Sequence, residues 1–174
     1  MRLAVIADTH LSRRAADLPP TAWRLIRATD AVIHAGDVTE QPLLDALAGA
    51  TPLHAVRGNN DHALPHLPER LDLTFAGVRC GVIHDGGASH GRRERLRALF
   101  PDARVVVFGH SHVPLVEDDG DLLLLNPGSP TDRRRMPSFT MALLTMDGDR
   151  RPNAELVDLG LERAQVHAAW ARMD

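Results

Sequence analysis

The chain has 174 residues, a formal net charge of -3, 44% hydrophobic and 3% aromatic residues, ten His and one Cys, and all 20 of its basic residues are Arg. Such a length suits one domain over residues 1–174 and is too short for a (β/α)₈ barrel of about 250 residues, while the single Cys80 excludes an intrachain disulfide, a Cys₄ or Cys₂His₂ zinc site and a CxxC redox pair. The sequence has no signal-peptide core and no apolar run near the roughly 20 residues of a membrane span, and its mild acidity gives no general attraction to polymeric nucleic acid, so a cytoplasmic chain with no membrane partner is expected.

Leu3 to Ala7 reads as a strand buried on both faces, ending at Asp8-Thr-His10. Pro19 and Pro20 open a helix over Thr21 to Ala28, and a second buried strand, Ala31 to Ala35, ends at Gly36-Asp37. A helix near Gln41 to Ala48 leads to a strand near Pro52 to Val56, which runs into Arg57-Gly-Asn-Asn-Asp61. This strand–helix alternation implies a parallel sheet with crossover helices.

From Leu71 the rhythm changes to hairpins. Leu71 to Phe75 turns at Ala76-Gly77 into Val78 to Ile83, which ends at His84-Asp-Gly-Gly87. A helix carrying Arg92, Arg93, Arg95 and Arg97 precedes the strand Val105 to Phe108, which ends at Gly109-His-Ser-His112. Leu115 to Glu117, a turn at Asp118-Asp-Gly-Asp121 and Leu122 to Leu125 follow, ending at Asn126-Pro-Gly-Ser129. After an Arg-rich loop come Phe139 to Met146, a turn at Asp147-Gly148, and Glu155 to Leu159. Leu161 to Met173 reads as a C-terminal helix.

Five strands therefore end in metal-ligand residue types, and open α/β folds bind ligands beyond the carboxyl ends of parallel strands. Asp8 with His10 and His110 with His112 read as i,i+2 pairs in extended chain, whose side chains point the same way. Asp, His and Asn donors without thiolates suit Mn, Fe, Co, Ni or Zn. Seven donors exceed one tetrahedral ion and suit two ions about 3.5–4 Å apart sharing a carboxylate, an arrangement used for in-line phosphoryl displacement.

In this order, Asp-x-His, Gly-Asp, Gly-Asn-x-Asp, a lone His before a Gly-rich stretch and Gly-His-x-His resemble the calcineurin-like metallophosphoesterases. Chain length, His34-Ala-Gly-Asp37 and Asn126-Pro-Gly-Ser129 narrow the resemblance to the small bacterial and archaeal phosphodiesterase branch, to which the eukaryotic retromer subunit of the same fold is similar. The resemblance implies an α/β fold of two mixed β-sheets packed as a sandwich flanked by helices, in four layers α/β/β/α. It further implies that Asp8, His10, Asp37 and His112 hold one metal and that Asp37, Asn59, His84 and His110 hold the other, with Asp37 as the bridge.

The implied activity is dinuclear, metal-dependent hydrolysis of a small phosphodiester by in-line attack of a metal-bridging hydroxide, with two divalent ions, Mn²⁺ first and Ni²⁺, Fe²⁺, Co²⁺ or Zn²⁺ as alternatives. Many relatives carry His where this chain has Asn60, so protonation by that residue is absent, as it often is in the small branch. Asn59 then stabilises charge, His62 becomes the nearby candidate for leaving-group or substrate contact, and Asn60 and Arg133 are candidates for substrate binding. Two metals (+4), Asp8 and Asp37 (-2), a hydroxide (-1) and a diester (-1) sum to zero, which leans toward a diester over a monoester. The rival readings are a retromer-type protein-interaction scaffold, and a phosphomonoesterase or nuclease using the same site; a homo-oligomer is compatible with each.

Elsewhere, His34 reads as a packed residue that orients a ligand, and His54, His66, His90 and His167 as structural or solvated. The arginines of the helix read as a solvated face paired with Glu94 and Asp102, and Arg133-Arg-Arg135 as a loop near the metals that clamps phosphate or is simply solvated.

Overall fold

Alternation along the buried strands sets the architecture. In a computed structural model the described residues are 1–11, 15–148 and 150–161, and among them lie ten strands and three helices. In chain order these are β1 (Arg2–Ile6), α1 (Pro20–Arg27), β2 (Ala31–His34), α2 (Gln41–Ala50), β3 (Leu53–Ala55), β4 (Arg70–Phe75), β5 (Val78–Ile83), α3 (Arg92–Leu99), β6 (Val105–Val107), β7 (Leu115–Asp118), β8 (Leu123–Asn126), β9 (Thr140–Thr145) and β10 (Asn153–Asp158). Most of the expected C-terminal helix, beyond Leu161, lies outside the described residues.

The strands form two five-stranded mixed sheets, ordered β10-β9-β1-β2-β3 and β4-β5-β6-β8-β7. The crossovers through α1 and α2 make β1, β2 and β3 parallel, as the alternation predicts, with Leu3 opposite Ala31 and Ile6 opposite His34. In the second sheet β5, β6 and β8 are parallel, while the β4–β5 and β7–β8 hairpins are antiparallel.

Because side chains alternate across a strand, each central strand feeds two cores. Leu3 and Val5 of β1 meet Val82, Val105, Val107, Leu123 and Leu125 between the sheets. Ala4 and Ile6 point the other way, onto Ala22 and Ile26 of α1 and Leu43, Leu44 and Leu47 of α2. Val106 and Leu124 face Leu96 of α3 and Phe100. Three cores between four layers constitute the α/β/β/α sandwich.

One local expectation changes and another holds. Among the described residues the α3 arginines do not pair with Glu94 and Asp102: Arg93 reaches Asp119 (3.0 Å) and Arg97 reaches Asp121 (2.7 Å), so the β7–β8 turn neutralises two of the four, while Asp102 pairs with Arg79. His54 packs edge-on against Phe75, a structural role. Among the described residues no helix is long and apolar enough to cross a membrane.

Cys80 lies in the core between the sheets, and burial pushes its thiol up to about 12. At pH 8 in native buffer, Ellman's reagent should leave it unmodified and then react with one equivalent when guanidinium unfolds the chain; prompt reaction of the native protein would contradict this packing.

Candidate metal centre

All five ligand-bearing segments emerge from the carboxyl ends of parallel strands: Asp8 and His10 after β1, Asp37 after β2, Asn59 after β3, His84 directly after β5, and His110 and His112 after β6. The extended geometry expected for the two i,i+2 pairs is not what the chain adopts. Asp8 (φ 56°), His10 (42°), Asp37 (56°), His110 (68°) and His112 (59°) all take left-handed backbone, because the chain has already left the strand and is turning over its end. For a non-glycine residue that conformation costs about 1–2 kcal/mol, and it persists where surrounding bonds over-determine it.

Such bonds are present. Asp8 N–H donates to the Gly36 carbonyl (2.9 Å) and His10 N–H to that of Asp37 (3.2 Å). The Ser129 hydroxyl donates to the Asp8 carbonyl (2.8 Å) and the Thr131 hydroxyl to that of Thr9. Asn126 Nδ2 donates to the Gly109 carbonyl (2.8 Å), fixing the His110–His112 segment.

The seven donors converge in two sets. On one side His10 Nε2 lies 3.3 Å from His112 Nε2, the rings stacked at 14°, and His112 Nε2 lies 3.6 Å from Asp8 Oδ1. On the other, Asn59 Oδ1 lies 3.1 Å from His84 Nε2 and 2.9 Å from His110 Nδ1. Between them stands Asp37 Oδ2, 3.5 Å from His10 Nε2 and 3.5 Å from His84 Nε2. Donors bound to one ion at about 2.1 Å and 90–110° apart sit about 3.0–3.4 Å from each other, close to these separations. Asp8, His10 and His112 form one compact ligand group and Asp8, Asp37 and His84 another, so Asp8 is within reach of both sides.

The electrostatics suit a cation. Burial pushes the Asp8 carboxyl up to about 7 against the pull of His84, and neighbouring Asp37 adds to the rise. At Asp37 burial pushes the same way, but the hydrogen bond and charge of His84 and the Asn60 donors outweigh it and hold that carboxyl well below the usual carboxylate range. Burial lowers His10 and takes His112 down to about 4, which keeps both rings neutral as ligands require. His84 is raised: burial opposes its charge, and Asp37 prevails. Asp8 Oδ2 is buried without a hydrogen-bond partner, and a buried carboxylate oxygen is costly unless paired or coordinating a metal. That orphaned oxygen among imidazole and carboxylate donors fits a divalent ion.

Two rings are aimed from behind, since His84 Nδ1 faces the Ala35 carbonyl (2.8 Å) and His112 Nδ1 that of Asp132, which leaves each Nε2 toward the centre. His34 plays a more remote part than expected. Its Nε2 meets the Thr9 hydroxyl at 3.1 Å, so it buttresses the residue between Asp8 and His10 and orients no ligand directly.

Asp61 received no role from the sequence, although it ends the Arg57-Gly-Asn-Asn-Asp61 segment. Its buried carboxylate accepts from the N–H groups of Asp37 (2.9 Å), Gly58 (2.7 Å) and Thr39 (2.7 Å), tying the β2 and β3 loops together. Gly58 is required for that approach, because a Cβ there would lie 2.2 Å from Asp37 Oδ1. Gly109 is required likewise, since its Cβ would lie 2.9 Å from Asp8 Oδ2.

The expected substrate residues separate. Asn60 is engaged with Asp37, donating its N–H to Oδ1 (2.8 Å) and Nδ2 to Oδ2 (2.6 Å). His62 is exposed and lines a cleft of about 390 Å³ with Arg57, Asn59 and Pro65. Arg133 donates to the Met136 carbonyl of its own loop. That loop lines a second cleft, of about 410 Å³, with Ser111, His112 and Val113.

Comparisons with known proteins agree with this geometry. The calcineurin-like phosphoesterase superfamily domain matches residues 1–149. A probable metallophosphoesterase of Methanocaldococcus jannaschii is 41% identical over 134 residues, covering 75% of this chain and 69% of the relative. Among solved structures, Vps29 from Entamoeba histolytica complexed with zinc superposes with a TM-score of 0.73 at 22% identity, covering 91% of this chain and 99% of that one. A structure described as a novel archaeal phosphodiesterase superposes at 0.68 and 18% identity, covering 90% and 100%.

Asp61→Ala removes the acceptor of three N–H groups, that of Asp37 among them, while leaving every ligand side chain of the centre in place. It should weaken Mn²⁺ binding about 10–100-fold by calorimetry; unchanged affinity in a folded variant would remove Asp61 from the support of the site.

Proposed function

The chain belongs to the calcineurin-like phosphoesterase superfamily, and from that premise we propose that it is a cytoplasmic phosphodiesterase dependent on two divalent ions. The observation that carries this reading is Asp37 Oδ2, equidistant at 3.5 Å from His10 Nε2 and His84 Nε2, with a donor set on either side. In this reading Asp8, His10, Asp37 and His112 hold one ion, Asp37, Asn59, His84 and His110 hold the other, and Mn²⁺ is the first choice before Ni²⁺, Fe²⁺, Co²⁺ or Zn²⁺. Bound there, such ions lower the pKa of water toward 7 and neutralise charge on a transferring phosphoryl group.

The protein's own groups supply positioning. The Ala35 and Asp132 carbonyls keep the Nε2 atoms of His84 and His112 on the centre. Asn60, held on Asp37, keeps that carboxylate ionised and oriented, a supporting role in place of the substrate contact expected from sequence. Asn59 directs Oδ1 inward, and its Nδ2, without a hydrogen bond among the described residues, faces the substrate's non-bridging oxygen. His62, on the cleft beside Asn59, is the proton donor to the leaving oxygen. Support for a diester over a monoester comes from the two clefts, one reached from Asn59 and one from His112, which give room for two ester arms.

Purified protein supplied with Mn²⁺ should hydrolyse bis(p-nitrophenyl) phosphate faster than p-nitrophenyl phosphate, and Asp37→Ala should return the rate to background. No turnover with Mn²⁺, Ni²⁺, Co²⁺ or Zn²⁺ would overturn the enzyme reading, and metal retained without turnover would favour an interaction scaffold.

His62→Gln should lower kcat about 10²–10⁴-fold for an alkyl leaving group and much less for p-nitrophenolate, which departs without a proton. An equal loss for both would remove His62 from proton transfer.

A further inference from the structure

The two clefts flanking the centre differ in charge. In the Asn59-side cleft the only arginine among the described lining residues, Arg57, is already paired with Glu69 at 2.6 Å. The His112-side cleft is lined by Arg133, Arg134 and Arg135 and, among the described residues, by no carboxylate; Asp132, beside it in sequence, has its Oδ2 4.0 Å from His112 Nδ1. Arg133 is occupied by the Met136 carbonyl. Arg134 is exposed, makes no hydrogen bond or ion pair among the described residues, and lines the same cleft as His112, at the rim of the centre. By contrast, Arg93, Arg97 and Arg104 each pair with the Asp119–Asp121 turn.

An uncommitted guanidinium beside a cation-binding centre suits an anion held next to the one that reacts. Beside Ser111 and His112, Met136 and an exposed Val113 (45%) give the cleft an apolar wall suited to a sugar or ring. Resting on the diesterase reading, we propose that the His112-side cleft is a specificity pocket for a substrate arm carrying a second phosphate, with Arg134 as its clamp and Arg135 in support. The preferred substrate is then a nucleotide-like diester with a phosphate one sugar away from the scissile phosphorus. Arg133, the residue expected from sequence, shapes the loop.

The backbone supplies a clean variant. Arg134 sits at φ 47°, a conformation that glycine adopts without strain, so Arg134→Gly removes the guanidinium while leaving the fold at least as stable. Calorimetry on the Mn²⁺-loaded protein would compare thymidine 3′,5′-bisphosphate with thymidine 5′-monophosphate. Wild type should bind the bisphosphate at least tenfold more tightly, the advantage should shrink with added salt, and Arg134→Gly should erase it with an unchanged melting temperature. Equal binding of the two by wild type, or an advantage that survives Arg134→Gly, would overturn the proposal whether or not the protein turns over.

Kinetics separate this from the reading it rests on. Thymidine 5′-(p-nitrophenyl phosphate), with and without a 3′-phosphate, shares one leaving group, and the 3′-phosphate should act through KM. Turnover of both esters with equal KM would refute the pocket and leave the diesterase standing, whereas failure of both esters with the binding preference intact would refute the diesterase and leave the anion pocket.

Discussion

Two carboxylates buried side by side set the terms for the rest of the molecule. The parallel pairing of β1 with β2 brings Asp8 N–H onto the Gly36 carbonyl, so that Asp8 and Asp37, both nearly inaccessible to solvent, share one end of the sandwich. Bare, this pair is expensive: desolvation and mutual repulsion act together on Asp8, and one of its oxygens has no partner. The surrounding structure answers with donors on Asp37 and with imidazoles on both sides. Positive charge between the carboxylates is what the arrangement leaves for a bound cation to supply.

That arrangement needs both sheets. β1, β2 and β3 deliver Asp8, His10, Asp37 and Asn59, whereas β5 and β6 deliver His84, His110 and His112, and the two groups meet because the inner core between the sheets aligns the carboxyl ends of both strand sets. The cost is carried locally. Left-handed backbone at five of the donor residues is tolerated because Asp61, Asn126, Ser129 and Thr131 pin the loops from outside. The same fold is shared with Vps29 and with an archaeal phosphodiesterase, so the fold alone does not select a reaction, and the chemistry resides in these loops.

The absence of lysine gains meaning beside this geometry. Arginine at the α3 face binds the acidic β7–β8 turn, a use of charge that secures the second sheet's edge. Beside the centre, the Arg133–Arg135 loop leaves Arg134 and Arg135 without a hydrogen bond or ion pair among the described residues. The identical residue type thus serves packing in one place and recognition in the other, and composition cannot distinguish them.

Much of this was legible in the residues. Period-two and continuous apolar runs located the strands to within a residue or two, because burial on both faces demands uninterrupted Val, Ile and Leu. The donors were legible because each sits at or just past a strand end, three of the seven after a glycine, where close approach forbids a side chain at Gly58 and Gly109. What spacing misjudged was the backbone of Asp8-x-His10 and His110-x-His112, for a local pattern reports period and not the turn that begins once the strand's hydrogen bonds end. The roles of Asp61, Asn60, His34 and Arg134 depend on loops that are distant in sequence. The sequence by itself determined which elements form and which chemical groups stand at their ends, since both follow from local burial and residue type. Only the tertiary structure decided which of those groups meet, which are held from behind and which arginines meet an acid, because these depend on distances set by the packing of one sheet against the other.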